Sequence, residues 1–134
     1  MTTAKSTVDD IGARVAEVVR SLAARAALTR AQAYRLRLAA DEIATNIVLH
    51  GYGGEGEVGL CGGVAEDHVW LRTEDSAPPF DPRDHDPSPV LTADPATRAP
   101  GGLGVHLALA AVDELRYEQV AGLNHTTLVV YRDA

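Results

Sequence analysis

Apolar residues recur at helical spacing through the first third of the chain and then give way to alternation. Ile11, Val15, Val18, Leu22 and Ala26 form one face of a predicted helix that runs to about Leu28, capped by Thr7 or Asp9. Thr29 caps a second helix, about Arg30 to His50, in which Leu36, Ile43 and Ile47 mark an apolar stripe; Gly51-Tyr52-Gly53-Gly54 stops it. Two strands follow as a hairpin, Glu57 to Gly62 and Val64 to Glu74, with Val69 and Leu71 alternating against His68, Trp70 and Arg72. Leu103 to Leu115 reads as a third helix. Arg116 to Val120 and Thr126 to Arg132 read as a closing hairpin across Ala121-Gly122-Leu123-Asn124. Residues 1–8 are polar and read as a frayed end. The order ααββαββ predicts one domain over residues 1–134, an α/β two-layer sandwich (α+β). Three helices would cover one face of a mixed, largely antiparallel sheet.

The second helix carries a second stripe that core packing does not explain. Glu42, Asn46 and His50 are spaced four and four, which stacks them along one helix face. A carboxylate there can accept a proton from a hydroxyl. An amide oxygen is a hard ligand, suited to Mg²⁺, which takes one or two protein ligands and keeps its waters. Taken alone, such a stripe is more often a solvated face. Two later segments shift the balance: Asp75-Ser76-Ala77-Pro78-Pro79-Phe80-Asp81-Pro82 after a strand, and Gly101-Gly102-Leu103-Gly104 opening a helix.

Composition narrows the function. With a net charge of −7 and no Lys/Arg cluster, a nucleic-acid surface is not expected. One cysteine, Cys61, excludes an intramolecular disulfide, and its place in a strand suggests a small buried hydrophobe. Charged residues through the first 27 positions rule out a signal-peptide apolar region, and no apolar run spans a membrane, so a cytoplasmic protein is expected. The only lysine is Lys5, so the chain has neither a Gly-Lys-Ser/Thr phosphate loop nor a strand lysine of the eukaryotic-kinase type. Pro78 to Pro100 holds all seven prolines and reads as a functional lid, about 82–100.

The order helix stripe, Asp turn, glycine turn resembles the N, G1 and G2 boxes of the GHKL, or Bergerat-fold, ATP-binding superfamily, over roughly residues 9–131. Within it, Glu-x-x-Thr-Asn-x-x-x-His-x-Tyr with Pro-Phe-Asp-Pro and Gly-Gly-Leu-Gly is most similar to the anti-sigma-factor serine/threonine kinases of bacterial stress and sporulation switches. The resemblance implies ATP and Mg²⁺ as cofactors, with Glu42 as the general base and Asn46 as the Mg²⁺ ligand. His50 would flank the nucleotide, and Asp75 would accept from the exocyclic amine of adenine. Gly101, Gly102, Leu103 and Gly104 would present backbone N–H groups to phosphate. Arg98 could reach the γ-phosphate. Thr127 lines up with a family threonine near adenine, with Thr126 the alternative register. Ala77 departs from the family's usual glycine, and alanine does not readily adopt positive φ. Relatives usually begin with a strand, for which this chain has little room.

By resemblance, the partners are a sigma factor, held inactive, and a STAS-domain anti-anti-sigma protein phosphorylated on serine; homodimers are typical. Two alternatives differ in class. One is a non-catalytic ATP/ADP-binding switch module, against which Glu42 argues. The other is the catalytic domain of a histidine kinase acting in trans; the chain carries no helical hairpin with a phosphoacceptor histidine. A gyrase-type or mismatch-repair-type ATPase would need further domains.

Overall fold

The computed structural model describes residues 2–84 and 102–132. The elements run β1 (Thr2–Ser6), α1 (Val8–Ala26), α2 (Arg30–Asn46), a π turn (Ile47–Gly51), β2 (Gly56–Val64), β3 (His68–Asp75), a 3-10 turn (Pro82–Asp84), α3 (Gly102–Ala111), β4 (Glu114–Val120) and β5 (Leu123–Tyr131). The five strands lie in the order β1-β2-β3-β5-β4, and all four pairings are antiparallel. The expected α/β sandwich is therefore present, with three helices on one face of the sheet. On that face Ile11, Val15 and Leu22 of α1 and Leu36 and Ile43 of α2 meet Val58, Val69, Leu71, Leu128 and Val130 of the strands.

Both long helices start at capping boxes. Thr7 Oγ1 accepts from the Asp10 N–H at 3.3 Å, and the Asp10 carboxylate accepts from the Thr7 N–H at 3.1 Å. The Thr7 N–H first, and then the Thr7 side chain, hold the Asp10 carboxyl below its usual range. Thr29 and Gln32 repeat the device at α2. Val19, rather than Val18, completes the fully buried stripe of α1; Val18 is only partly buried.

Four expectations of local structure are corrected. The polar start is a strand, not a frayed end. Its ladder to β2 is reinforced by the Arg14 guanidinium, which donates to Ser6 Oγ at 2.9 Å and to the Val58 carbonyl at 2.8 Å. The second helix stops being α at Asn46 and closes with a π turn, in which the Tyr52 N–H reaches back to the Ile47 carbonyl at 2.9 Å. The third helix ends at Ala111, because the Asp113 N–H donates to the Val129 carbonyl and draws the chain into β4. The last hairpin turns on Ala121-Gly122 alone, at φ 53 and 83, so Leu123 and Asn124 belong to β5. Two central residues with positive φ make this the tight turn whose twist matches paired strands.

The opposite face of the sheet carries no helix among the described residues. Cys61 stands there, half-buried and paired in register with Arg72, rather than in the core. Trp70 covers Gly63, and the Arg72 guanidinium lies 5.3 Å from the Trp70 ring centroid. No helix among the described residues is long and apolar enough to cross a membrane.

Candidate functional site

Asp75 ends β3 on the helix-covered face, and the register places it opposite Asn124 of β5. It is 4% exposed. Burial pushes its carboxyl above the usual carboxylate range; the Asn124 amide and the Ala77 N–H, which favour the ionised form, pull the other way. Both bonds go to Oδ1, from Asn124 Nδ2 at 3.0 Å and from the Ala77 N–H at 3.0 Å. Oδ2 has no hydrogen-bond partner among the described residues. Two positions back along the same strand face, Thr73 is fully buried and its Oγ1 has no hydrogen-bond partner among the described residues. A buried hydroxyl left unpaired costs free energy unless a ligand or water completes it.

The turn after α2 closes onto this floor. A methyl on Gly51 would lie 2.8 Å from the Ala77 Cβ, so a glycine at 51 admits an alanine at 77. Ala77 does not need a glycine's backbone: the only non-glycine described residues with positive φ are Ala27 and Ala121. Tyr52 clamps the same junction. Its hydroxyl accepts from the Ser76 N–H at 2.8 Å and donates to the Glu57 carbonyl at 2.7 Å, and its ring fills the space beside Gly56.

Glu42 and Asn46 sit one turn apart on α2, both half-buried, and neither side chain is hydrogen-bonded among the described residues. Gly104, in the first turn of α3, lies directly against Glu42: any methyl there would overlap Glu42 Oε2. Thus α2 joins the Asp75 floor at its C-terminal end to the glycine-opened helix along its side. The His50 side chain is exposed within the π turn. Gly102 and Leu103 open α3. Arg98 and Gly101, with residues 85–100 of the expected lid, lie outside the described residues.

The two threonines of β5 separate cleanly. Thr126 pairs with Thr73 and shares the face of Asp75. Thr127 pairs with Arg72 on the far face, where its Oγ1 accepts from Arg72 Nε at 3.0 Å. Of the two registers open in the sequence, the geometry favours Thr126 as the residue beside the floor.

The donor set fits an adenine nucleotide with a hard cation. Among the described residues, Asp75 Oδ2 and Thr73 Oγ1 are unpaired at the floor, and the Asn46 amide oxygen has no partner. Among the described residues no three His, Cys, Asp or Glu side chains form a metal-holding group, so a cation at Asn46 would rely on phosphate oxygens and water.

The profile of the histidine kinase-like ATPase domain family matches residues 5–130. The chain belongs to that family. Membership makes this an ATP-binding, kinase-like domain of the GHKL type. In structure the ATPase domain is similar to the Acinetobacter baumannii histidine kinase AdeS, at a TM-score of 0.52 and 12% identity, covering 100% of this chain and 69% of that one. No curated protein matches it in sequence.

Two residues of the Asp75 floor escaped the sequence pattern. Asn124 had the appearance of a turn residue because Gly122-Leu123-Asn124 has turn composition. Thr73 is one threonine in an alternating strand, and only the pairing shows that it stands beside Asp75's partner strand unpaired.

The contact between Gly104 and Glu42 makes a prediction. The overlap from Gly104→Ala falls on the far end of a flexible side chain, and alanine is the better helix former by up to about 1 kcal/mol. Thermal stability is therefore expected to hold or rise. Glu42 must move, so phosphoryl transfer should fall while ATP still binds. Unchanged transfer in a folded Gly104→Ala would show that this contact plays no part.

Proposed function

We propose that this domain is an ATP-dependent protein serine/threonine kinase and anti-sigma regulatory factor acting in the cytoplasm. The observation that carries the reading is Glu42: a half-buried carboxylate with no protein partner among the described residues, one turn from Asn46 and against the opening turn of α3. A pure nucleotide binder has no use for such a base.

Asp75 fixes the adenine through Oδ2. Asn46 would hold Mg²⁺ against the phosphates, and the ion, when bound, neutralises charge developing on the transferred group. The α3 N-terminus adds backbone N–H groups and a favourable dipole. Glu42 accepts the proton of a serine hydroxyl as its oxygen bonds to the γ-phosphorus; the bond to the β–γ bridging oxygen breaks and ADP leaves. Arg98 is our candidate for added positive charge at the γ-phosphate. The substrate would be a STAS-domain anti-anti-sigma protein and the sequestered partner a sigma factor, with the kinase a homodimer; the resemblance in Glu42 to Tyr52, Pro79 to Pro82 and Gly101 to Gly104 supports this.

The test is transfer from ATP labelled at the γ-phosphate to a purified STAS-domain protein. Acid-stable phosphoserine is expected. Acid-labile phosphohistidine on a helical-hairpin partner would instead support a histidine kinase acting in trans. Tight ATP binding with no transfer to either would support the switch module.

A further inference from the structure

Asn124 is a buried amide whose oxygen and both amide hydrogens are all bonded. It is 3% exposed. Both hydrogens of its amide are used, one on Asp75 Oδ1 at 3.0 Å and one on the Ala77 carbonyl at 2.9 Å. Its oxygen accepts the Tyr117 hydroxyl from β4, at 2.5 Å. The amide cannot be reversed: a flip would aim its oxygen at two acceptors and its NH₂ at a hydroxyl whose proton now points toward it. Three strands thus meet in one chain of bonds, Tyr117 to Asn124 to Asp75, with the Asp75-Ala77 turn tied in at its carbonyl.

The arrangement has a consequence for the ligand side of Asp75. A free aspartate can rotate to present either oxygen, or swing away. Here Oδ1 is held by two donors, so Oδ2 is left in one place with its acceptor capacity unspent among the described residues. An exocyclic amine is a donor and is matched by that oxygen; a ring carbonyl in its place is not. We propose that Asn124, locked by Tyr117, is a positioning residue that holds Asp75 for the exocyclic amine of adenine and so sets the domain's base preference. This rests on the ATP reading above, and extends it to two residues that the nucleotide boxes do not include. Asn124 and Tyr117 act through Asp75 and are not assigned contact with the nucleotide.

The test compares the affinities of ATP and purine riboside triphosphate, which lacks only the amine, for wild type, Asn124→Ala, Tyr117→Phe and Asp75→Asn. Wild type should prefer ATP by about tenfold or more, the range for a hydrogen bond to a charged group. In Asn124→Ala that ratio should fall toward one, with the analogue's own affinity largely kept; general damage to the pocket would weaken both ligands together. Tyr117→Phe leaves the amide free to turn and should lower the ratio by about two- to tenfold, the span of a net neutral hydrogen bond. In the Asp75→Asn background, Asn124→Ala should have no further effect on the ratio. A wild type that binds ATP without preferring it over the analogue refutes both the role of Asp75 and this inference. A wild type that discriminates, with Asn124→Ala and Tyr117→Phe discriminating equally well, refutes the inference alone. Should Asn124→Ala fail to fold, Tyr117→Phe carries the same decision.

Discussion

Glu42→Gln is expected to lower serine phosphorylation by roughly 10²–10⁴-fold, the usual contribution of a positioned base. ATP affinity should stay close to that of wild type. Glutamine keeps the volume and helix propensity of glutamate. Glu42 makes no side-chain hydrogen bond among the described residues, so no native bond is lost and thermal stability should not fall. Neither the Asp75 floor nor Asn46 is touched. Single-turnover transfer, read beside a nucleotide titration, separates the two effects. Transfer at the wild-type rate in Glu42→Gln would place the base elsewhere.

The second large effect is expected at Asp75, where binding and stability should move in opposite directions. In Asp75→Asn the amide oxygen can go on accepting from the Ala77 N–H and Asn124 Nδ2, which leaves an NH₂ where Oδ2 was. Donor then faces donor at the adenine amine, and ATP affinity should drop at least about tenfold. Stability should hold or rise at neutral pH. Burial raises the native carboxyl above its unfolded value. Between those two values the native state holds the extra proton, so wild-type stability falls as pH rises through that window and stays lower above it. An asparagine carries no such cost. The same shift predicts that wild-type ATP affinity weakens as pH falls through the raised Asp75 value, because a protonated carboxyl no longer offers two acceptor oxygens. Melting curves and titrations of both proteins over acid to neutral pH check all three statements. Loss of both stability and binding in Asp75→Asn would mean that Asp75 is chiefly a structural residue.

Local signals in the sequence were sufficient where the structure is locally decided. Thr7 and Thr29 cap helices because their boxes are complete within four residues, and the Glu42–Asn46 stripe follows from one helical turn. Signals failed where a distant partner decides. The strand Thr2–Ser6 has no apolar alternation; it exists because β2 offers an edge and Arg14 stitches it down. The turn at Ala121-Gly122 puts an alanine at φ 53, against its intrinsic preference, and the pairing of β4 with β5 enforces it. That displacement of the turn hid Asn124. Ala77 is the converse case: the missing glycine is a departure in sequence, yet its cost is removed by the backbone φ and by Gly51 on the facing turn. The glycine turn places the start of the third helix to within one residue, Leu103 expected and Gly102 observed, while Arg98 and Gly101 lie outside the described residues.

A single site, floored by Asp75 and flanked by Asn46, is proposed to take an adenine nucleotide with Mg²⁺. Thermal unfolding with ATP, ADP and GTP, each with and without Mg²⁺, for wild type and Asn46→Ala, tests it most directly. Ligand at 100 times its dissociation constant should stabilise by about 2.7 kcal/mol, or several degrees. The expected result is a shift with ATP and ADP that exceeds the shift with GTP, grows with Mg²⁺, and loses its Mg²⁺ dependence in Asn46→Ala. No shift with any nucleotide, or equal shifts with ATP and GTP that ignore Mg²⁺ and Asn46, would contradict it.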